Sequence, residues 1–115
     1  MAFPQRDREV IQGLARQYAE IANSPELARR RQRWIEHNSL RSQYPMMLIF
    51  PEGSWQELLP ESGLSCTDPE ARKIEWQLRH RLYTHAHFAD DSVTDPVWEV
   101  GKCIRDTGWG LEARR

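Results

Sequence analysis

The stretch YPMMLIFPEGSWQELLP, Tyr44–Pro60, sets five consecutive apolar residues, Met46–Phe50, against a Pro-Glu-Gly-Ser-Trp turn. The run is short and bracketed by Pro45 and Pro51, which predicts a buried strand rather than a helix. Pro51-Glu52-Gly53 breaks it, and Gly53 can supply the turn dihedral. Ser54 then stands as N-cap of a single turn, SWQELL, with Glu57 at the capping-box position. Two uses fit such a loop: core ending at a surface turn, or a strand delivering a loop to a binding site.

Outward from this stretch the chain reads as helix. DREVIQGLARQYAEIANS carries Val10, Ile11, Leu14, Tyr18 and Ile21 at helical spacing. Asn23 and Ser24 close that helix and can cap the next, with Pro25 in its first turn. PELARRRQRWIEHNS places Leu27, Arg31, Trp34, Ile35 and Asn38 along one face. In CTDPEARKIEWQLRHRLYTHAHFADD, Asp68 caps, Pro69 takes the first helical position and Glu70 suits the positive end of the helix dipole. Ala71, Ile74, Leu78 and Leu82 mark the buried stripe of this third helix, and Trp76 and Tyr83 mark a second. DPVWEVGKCI alternates as a half-buried strand with a glycine that invites a bulge. If Met46–Phe50 and Pro96–Ile104 are neighbours, a parallel pairing around the long helix gives a right-handed crossover. The expected class is α+β, predominantly helical, with about three main helices and two short strands.

The 115 residues suit one domain or a piece of a larger one. A net charge of −1 supplies no field for nucleic acid or an anionic membrane. MAFPQRDREV lacks the apolar segment of a signal peptide, and Met46–Phe50 is too short to span a bilayer, so a cytoplasmic chain is expected. Cys66 and Cys103 lack metal or redox spacing. Five tryptophans are many for so polar a chain, and each needs a large apolar contact. They dock on protein beyond this chain or line a site.

Few residues carry chemistry. His85 and His87, with Asp90 and Asp91, form the best metal-like cluster, but imidazoles two apart on a helix point to different faces. Capping and helix-terminus charge effects are the plainer use, so no metal site is assigned. His37 and His80 fall on polar helix faces. Arg29, Arg30 and Arg31 invite a phosphate, although one basic turn is normally a solvated face. Glu52, where the predicted strand ends, is the most interesting acid; its plain reading is a solvated turn residue.

RRRQRWIEHNSLRSQYPMMLIFPEGSWQELLP, the Asp-Pro-capped helix, the Asp-Asp pair and VWEVGKCIRDTGWGLE together resemble the N-terminal region of uroporphyrinogen decarboxylase-like proteins. The likeness is to the long bacterial branch related to corrinoid-dependent methyltransferases, and it runs roughly from Arg29 onward. It implies that residues 1–115 are a single domain or the leading part of a (β/α)8 barrel, whose active site lies at the C-terminal ends of the strands. Arginines in the matching loop of true decarboxylases hold the substrate's carboxylates; here that loop is Pro51-Glu52-Gly53-Ser54-Trp55, without arginine. The resemblance therefore transfers no catalytic residue and leaves Glu52, Gly53 and Trp55 as pocket-lining positions. It implies a parent that is a decarboxylase-like lyase or a methyltransferase using zinc and a corrinoid partner, with no cofactor in this chain and no activity of the chain alone. The partner would be the rest of the barrel. From another class comes the alternative of a freestanding interaction module, which covers its exposed aromatics with a copy of itself or a partner protein. A third use, a small enzyme built on His85, His87, Asp90 and Asp91, ranks last.

Overall fold

The computed structural model describes residues 2–102 together with Ile104, Asp106, Gly108 and Gly110. Among them the fold is helical: α1 spans Gln5–Ala22, α2 Pro25–Asn38, α3 Trp55–Leu58 and α4 Pro69–His87. Single 3-10 turns at Glu52–Ser54 and Glu61–Gly63 interrupt the long connection between α2 and α4.

The helix starts are written in the sequence. Ser24 accepts from the Leu27 N–H with Pro25 in the first turn, and Asp68 accepts from Glu70 and Ala71 with Pro69 behind it. Ser54 precedes α3 without a side-chain cap bond. The end of α2 is less ordinary. Arg41 N–H bonds to Glu36 C=O and Leu40 N–H to His37 C=O, the paired bonds of a Schellman close. Leu40 occupies the left-handed position at φ 58°, where glycine is the usual residue.

α1 and α4 pack together, burying Leu14, Tyr18 and Leu78 with Val10, Ile11, Ile74, Leu82 and Trp98 around them. The predicted stripe of α4 is thus the packed one. Two buried carboxylates tie the Leu64–Asp68 segment across this pair. Asp7 accepts from the N–H groups of Thr67 and Asp68, and Glu75 from those of Ser65 and Cys66 and from the Arg79 guanidinium.

α2 is held differently, by the strap of residues 90–98. Trp34 donates to Asp91 C=O, Arg30 to Ser92 C=O, Arg31 to Thr94 C=O, and Tyr18 of α1 to Asp95 C=O. Arg31 also reaches Ala22 C=O and the Asp95 carboxylate. Two members of the arginine run are therefore fasteners, not a phosphate cradle.

The expected strands are absent among the described residues, which corrects the α+β assignment and removes the basis for a leading barrel segment. Neither Met46–Phe50 nor the described part of Pro96–Ile104 finds a backbone ladder, and β structure needs one. Met47 and Ile49 N–H groups bond instead to the carboxylates of Asp91 and Asp90, and Asp91 N–H returns one bond to Met47 C=O. Nor is the run buried: Phe50 is 74% exposed, and Met47, Leu48 and Ile49 are exposed too. Cys103, within the second predicted strand, lies outside the described residues.

The chain is open for its mass. Its radius of gyration is 18.4 Å, against roughly 13 Å for a compact chain of this length. It exposes 9553 Å², against roughly 6,600 Å² for a compact protein of 13.6 kDa.

Candidate functional site

An apolar surface lies between α2, the Met46–Phe50 segment and the strap. A groove of about 600 Å³ is lined by Trp34, Ile35, Leu48, Phe50 and Val93, with the Arg31 and Asp95 ion pair at its polar margin. Trp34 forms the floor because its indole N–H is fixed on the strap. Ile35, next to it on the predicted apolar face of α2, is left exposed. Tyr44 and Met47 extend the apolar surface along the segment.

Among the described residues the segment is hydrogen-bonded along one edge only. N–H groups at 47 and 49, two apart, point to the same side, as in extended backbone. Asp90 is buried and divides its oxygens between Ile49 N–H and Ser92. Asp91 takes Met47 N–H and pairs at 3.6 Å with Arg33. The Asp-Asp pair, singled out as metal-like, is thus spent on backbone.

A second cluster gathers aromatic rings around His80. Its imidazole lies 3.7 Å from the Trp76 ring and 4.2 Å from the Trp55 ring, centroid to centroid. His80 is buried, not on a polar face, and burial pushes its pKa below the ordinary histidine value. Nδ1 lies 2.7 Å from Trp76 C=O. A carbonyl only accepts, so Nδ1 carries the proton and the buried Nε2 is a bare acceptor without a partner. Trp55 also meets Tyr83 and Phe88, while His87 stacks on Tyr83. These rings form a stacked wall around the imidazole.

The sequence-predicted positions separate accordingly. Trp55 is half-buried in this wall; Glu52 and Gly53 are exposed in the adjoining 3-10 turn, Glu52 at φ 51°. None of the three lines the groove. Trp34 and Trp98 are also partly covered by the chain itself, Trp98 edge-on to Tyr18 with the Arg81 guanidinium 4.8 Å from its ring centroid. Trp76 stays 40% exposed and Trp109 lies outside the described residues, so among the described residues the exposed apolar surface consists of Trp76, Tyr44, Phe50 and aliphatic side chains.

Zinc has no fitting donor set among the described residues. Cys66 is buried, and its thiol is pushed up to about 12, first by burial and then by the Glu75 carboxylate beside it. That opposes the thiolate a zinc ligand requires. No described helix is long and apolar enough to cross a membrane. Comparison of the chain with protein-family models, with curated proteins and with solved structures gives no match.

Proposed function

We propose that this chain is a protein-interaction module, non-catalytic by itself, which covers the Trp34–Val93 groove and the Tyr44–Phe50 ribbon with another protein surface. The observation that carries this is the ribbon: uncharged from Ser42 to Pro51, apolar through its centre and largely exposed. A contiguous apolar surface of that kind on a polar chain marks an interface. Taking ordinary residue areas, the residues Ile35, Leu40, Tyr44, Met47, Leu48, Ile49 and Phe50 expose on the order of 900 Å² together over both faces of the segment, against about 800 Å² per partner in a standard interface.

Leu40 supports the same reading. It is 94% exposed, so its side chain contributes no packing to the chain, yet it holds a left-handed backbone position. That conformation costs a residue with a Cβ roughly 1–2 kcal/mol. Leu40→Gly is expected to raise the stability of the isolated chain by about 0.5–1 kcal/mol, net of the entropy glycine adds to the unfolded state. A thermal melt at low micromolar concentration checks this. An unchanged or lower midpoint would mean that Leu40 packs on the chain itself.

A photoreactive phenylalanine analogue at position 50, irradiated in the organism that makes the protein, tests the proposal directly. One intermolecular protein adduct of defined mass is expected, and Ile35→Asp in the groove should reduce its yield at least several-fold. Absence of any intermolecular protein adduct would sink the reading.

A further inference from the structure

The ribbon has a second property that its side chains do not explain. Extended backbone turns alternate N–H and C=O groups to opposite edges. With Met47 and Ile49 N–H groups committed to Asp91 and Asp90, the N–H groups of Met46, Leu48 and Phe50 face the other way, where no partner among the described residues meets them. An unpaired apolar edge is a template for another chain.

We infer that the occupant of this edge is a second copy of the same chain, its Met46–Phe50 segment lying antiparallel with Leu48 opposite Leu48 across a two-fold axis. The inference rests on the interaction-module reading and names its partner. Three features select a copy over an unrelated chain. Pro45 and Pro51 stand at equal distances from Leu48, so the pairing that centres on Leu48 is self-matched in length. It exchanges backbone bonds at Leu48–Leu48, Met46–Phe50 and Phe50–Met46, each opposed pair closing both of its N–H···O bonds. The cross-strand side chains are then leucine on leucine and thioether on phenyl, both favourable.

Charge is the second feature. Between Arg41 and Glu52 the chain carries no charge, so the two paired segments themselves bring no like charges together and bury no ion. The third is closure. The opposite edge is capped by carboxylates, so a copy added on one side leaves no edge for a third chain. Such an isologous contact closes as a two-fold dimer and does not extend into a fibre.

The test uses the whole chain by sedimentation velocity between about 1 and 300 µM, the range where a standard-sized interface of ordinary quality assembles, beside Leu48→Pro and Leu48→Ala. On the backbone Leu48→Pro removes only an N–H left unbonded among the described residues, its fixed φ suits extended backbone, and Leu48→Ala controls for the lost leucine side chain in the groove. The wild type is expected to pass from monomer to dimer, Leu48→Ala to dimerise with a several-fold weaker Kd, and Leu48→Pro to stay monomeric with unchanged circular dichroism. Hydrogen exchange of the wild type gives a readout independent of any variant's folding: the Leu48 amide should slow at least tenfold as concentration rises through the transition. A wild type monomeric throughout overturns the inference. If position 50 still cross-links to a different protein, the interaction-module reading stands without it; if it cross-links to nothing, both fall. A dimer in which Leu48→Pro matches Leu48→Ala and the Leu48 amide is unprotected also overturns it.

Discussion

Glu75→Gln is expected to remove about 3 kcal/mol of stability, at the lower end for breaking one side of a buried charge pair. That is a large share of the roughly 5–15 kcal/mol that holds a domain folded. Glu75 has no solvent exposure, and its two oxygens accept from Ser65 N–H, Cys66 N–H and Arg79 Nε at 2.8 Å each. The amide keeps the volume, so no cavity confuses the result. It turns an NH2 toward N–H groups that need an acceptor, and it leaves the half-buried guanidinium without its counter-charge. Burial by itself would raise the Glu75 pKa. The Ser65 and Cys66 N–H groups and Arg79 outweigh it and hold the carboxyl below its ordinary 4.5. A carboxyl lowered on folding contributes stability that is complete above the unfolded pKa and is lost as pH falls through the folded one. Urea unfolding of the wild type should therefore weaken below about pH 4.5, while Glu75→Gln starts lower at pH 7 and lacks that part of the acid limb. A variant within 1 kcal/mol of wild type at pH 7 would show that the Ser65–Cys66 turn holds without the carboxylate.

This carboxylate was not legible in the sequence, although the helix that carries it was. Helix starts are local: Ser24-Pro25 and Asp68-Pro69 supply their own caps, so both appear where composition and spacing place them. The buried stripe of α4 was legible for the same reason, since Leu78 and Ile74 follow from a period. Glu75 sits on that helix between Ile74 and Trp76, a lone acid with nothing local to mark it as buried, and only the return of the Leu64–Asp68 segment gives it backbone donors. Asp7 is the same case with Thr67 and Asp68 as its donors, some sixty residues away. The arginines of α2 read as a solvated basic turn because their acceptors, the carbonyls of the strap, carry no sequence signature at all. His80 went unrecognised since its cover comes from Trp55, twenty-five residues earlier. Met46–Phe50 is the opposite failure. Its apolar run and flanking prolines predict a buried strand, but local pattern cannot say whether a ladder exists to make it one. Here two aspartates occupy one edge, and the other has no partner among the described residues.

Leu78→Ala is expected to cost about 3 kcal/mol, within the range for emptying a buried leucine site, and to lower the melting midpoint by roughly 12 °C at low concentration. Leu78 is 2% exposed at the centre of the α1–α4 core, between Leu14 and Tyr18. That core is small for the surface it must offset. Helices α1 and α4 share it, while α2 relies on hydrogen bonds to the strap and on the buried Leu27. A chain built this way gains stability from anything that covers its remaining apolar face in the folded state only. Such cover is worth about 2.7 kcal/mol at a hundred times the dissociation constant. The loss at Leu78 and the gain from association lie far apart in the fold, so they should add. Raising the concentration of Leu78→Ala from about 1 to 100 times that constant should therefore restore roughly 2 kcal/mol. In Leu78→Ala combined with Leu48→Pro the midpoint should not move with concentration. If both variants melt alike at every concentration, the ribbon contributes nothing to the stability of the assembled protein, and the openness of the fold must be balanced by contacts elsewhere.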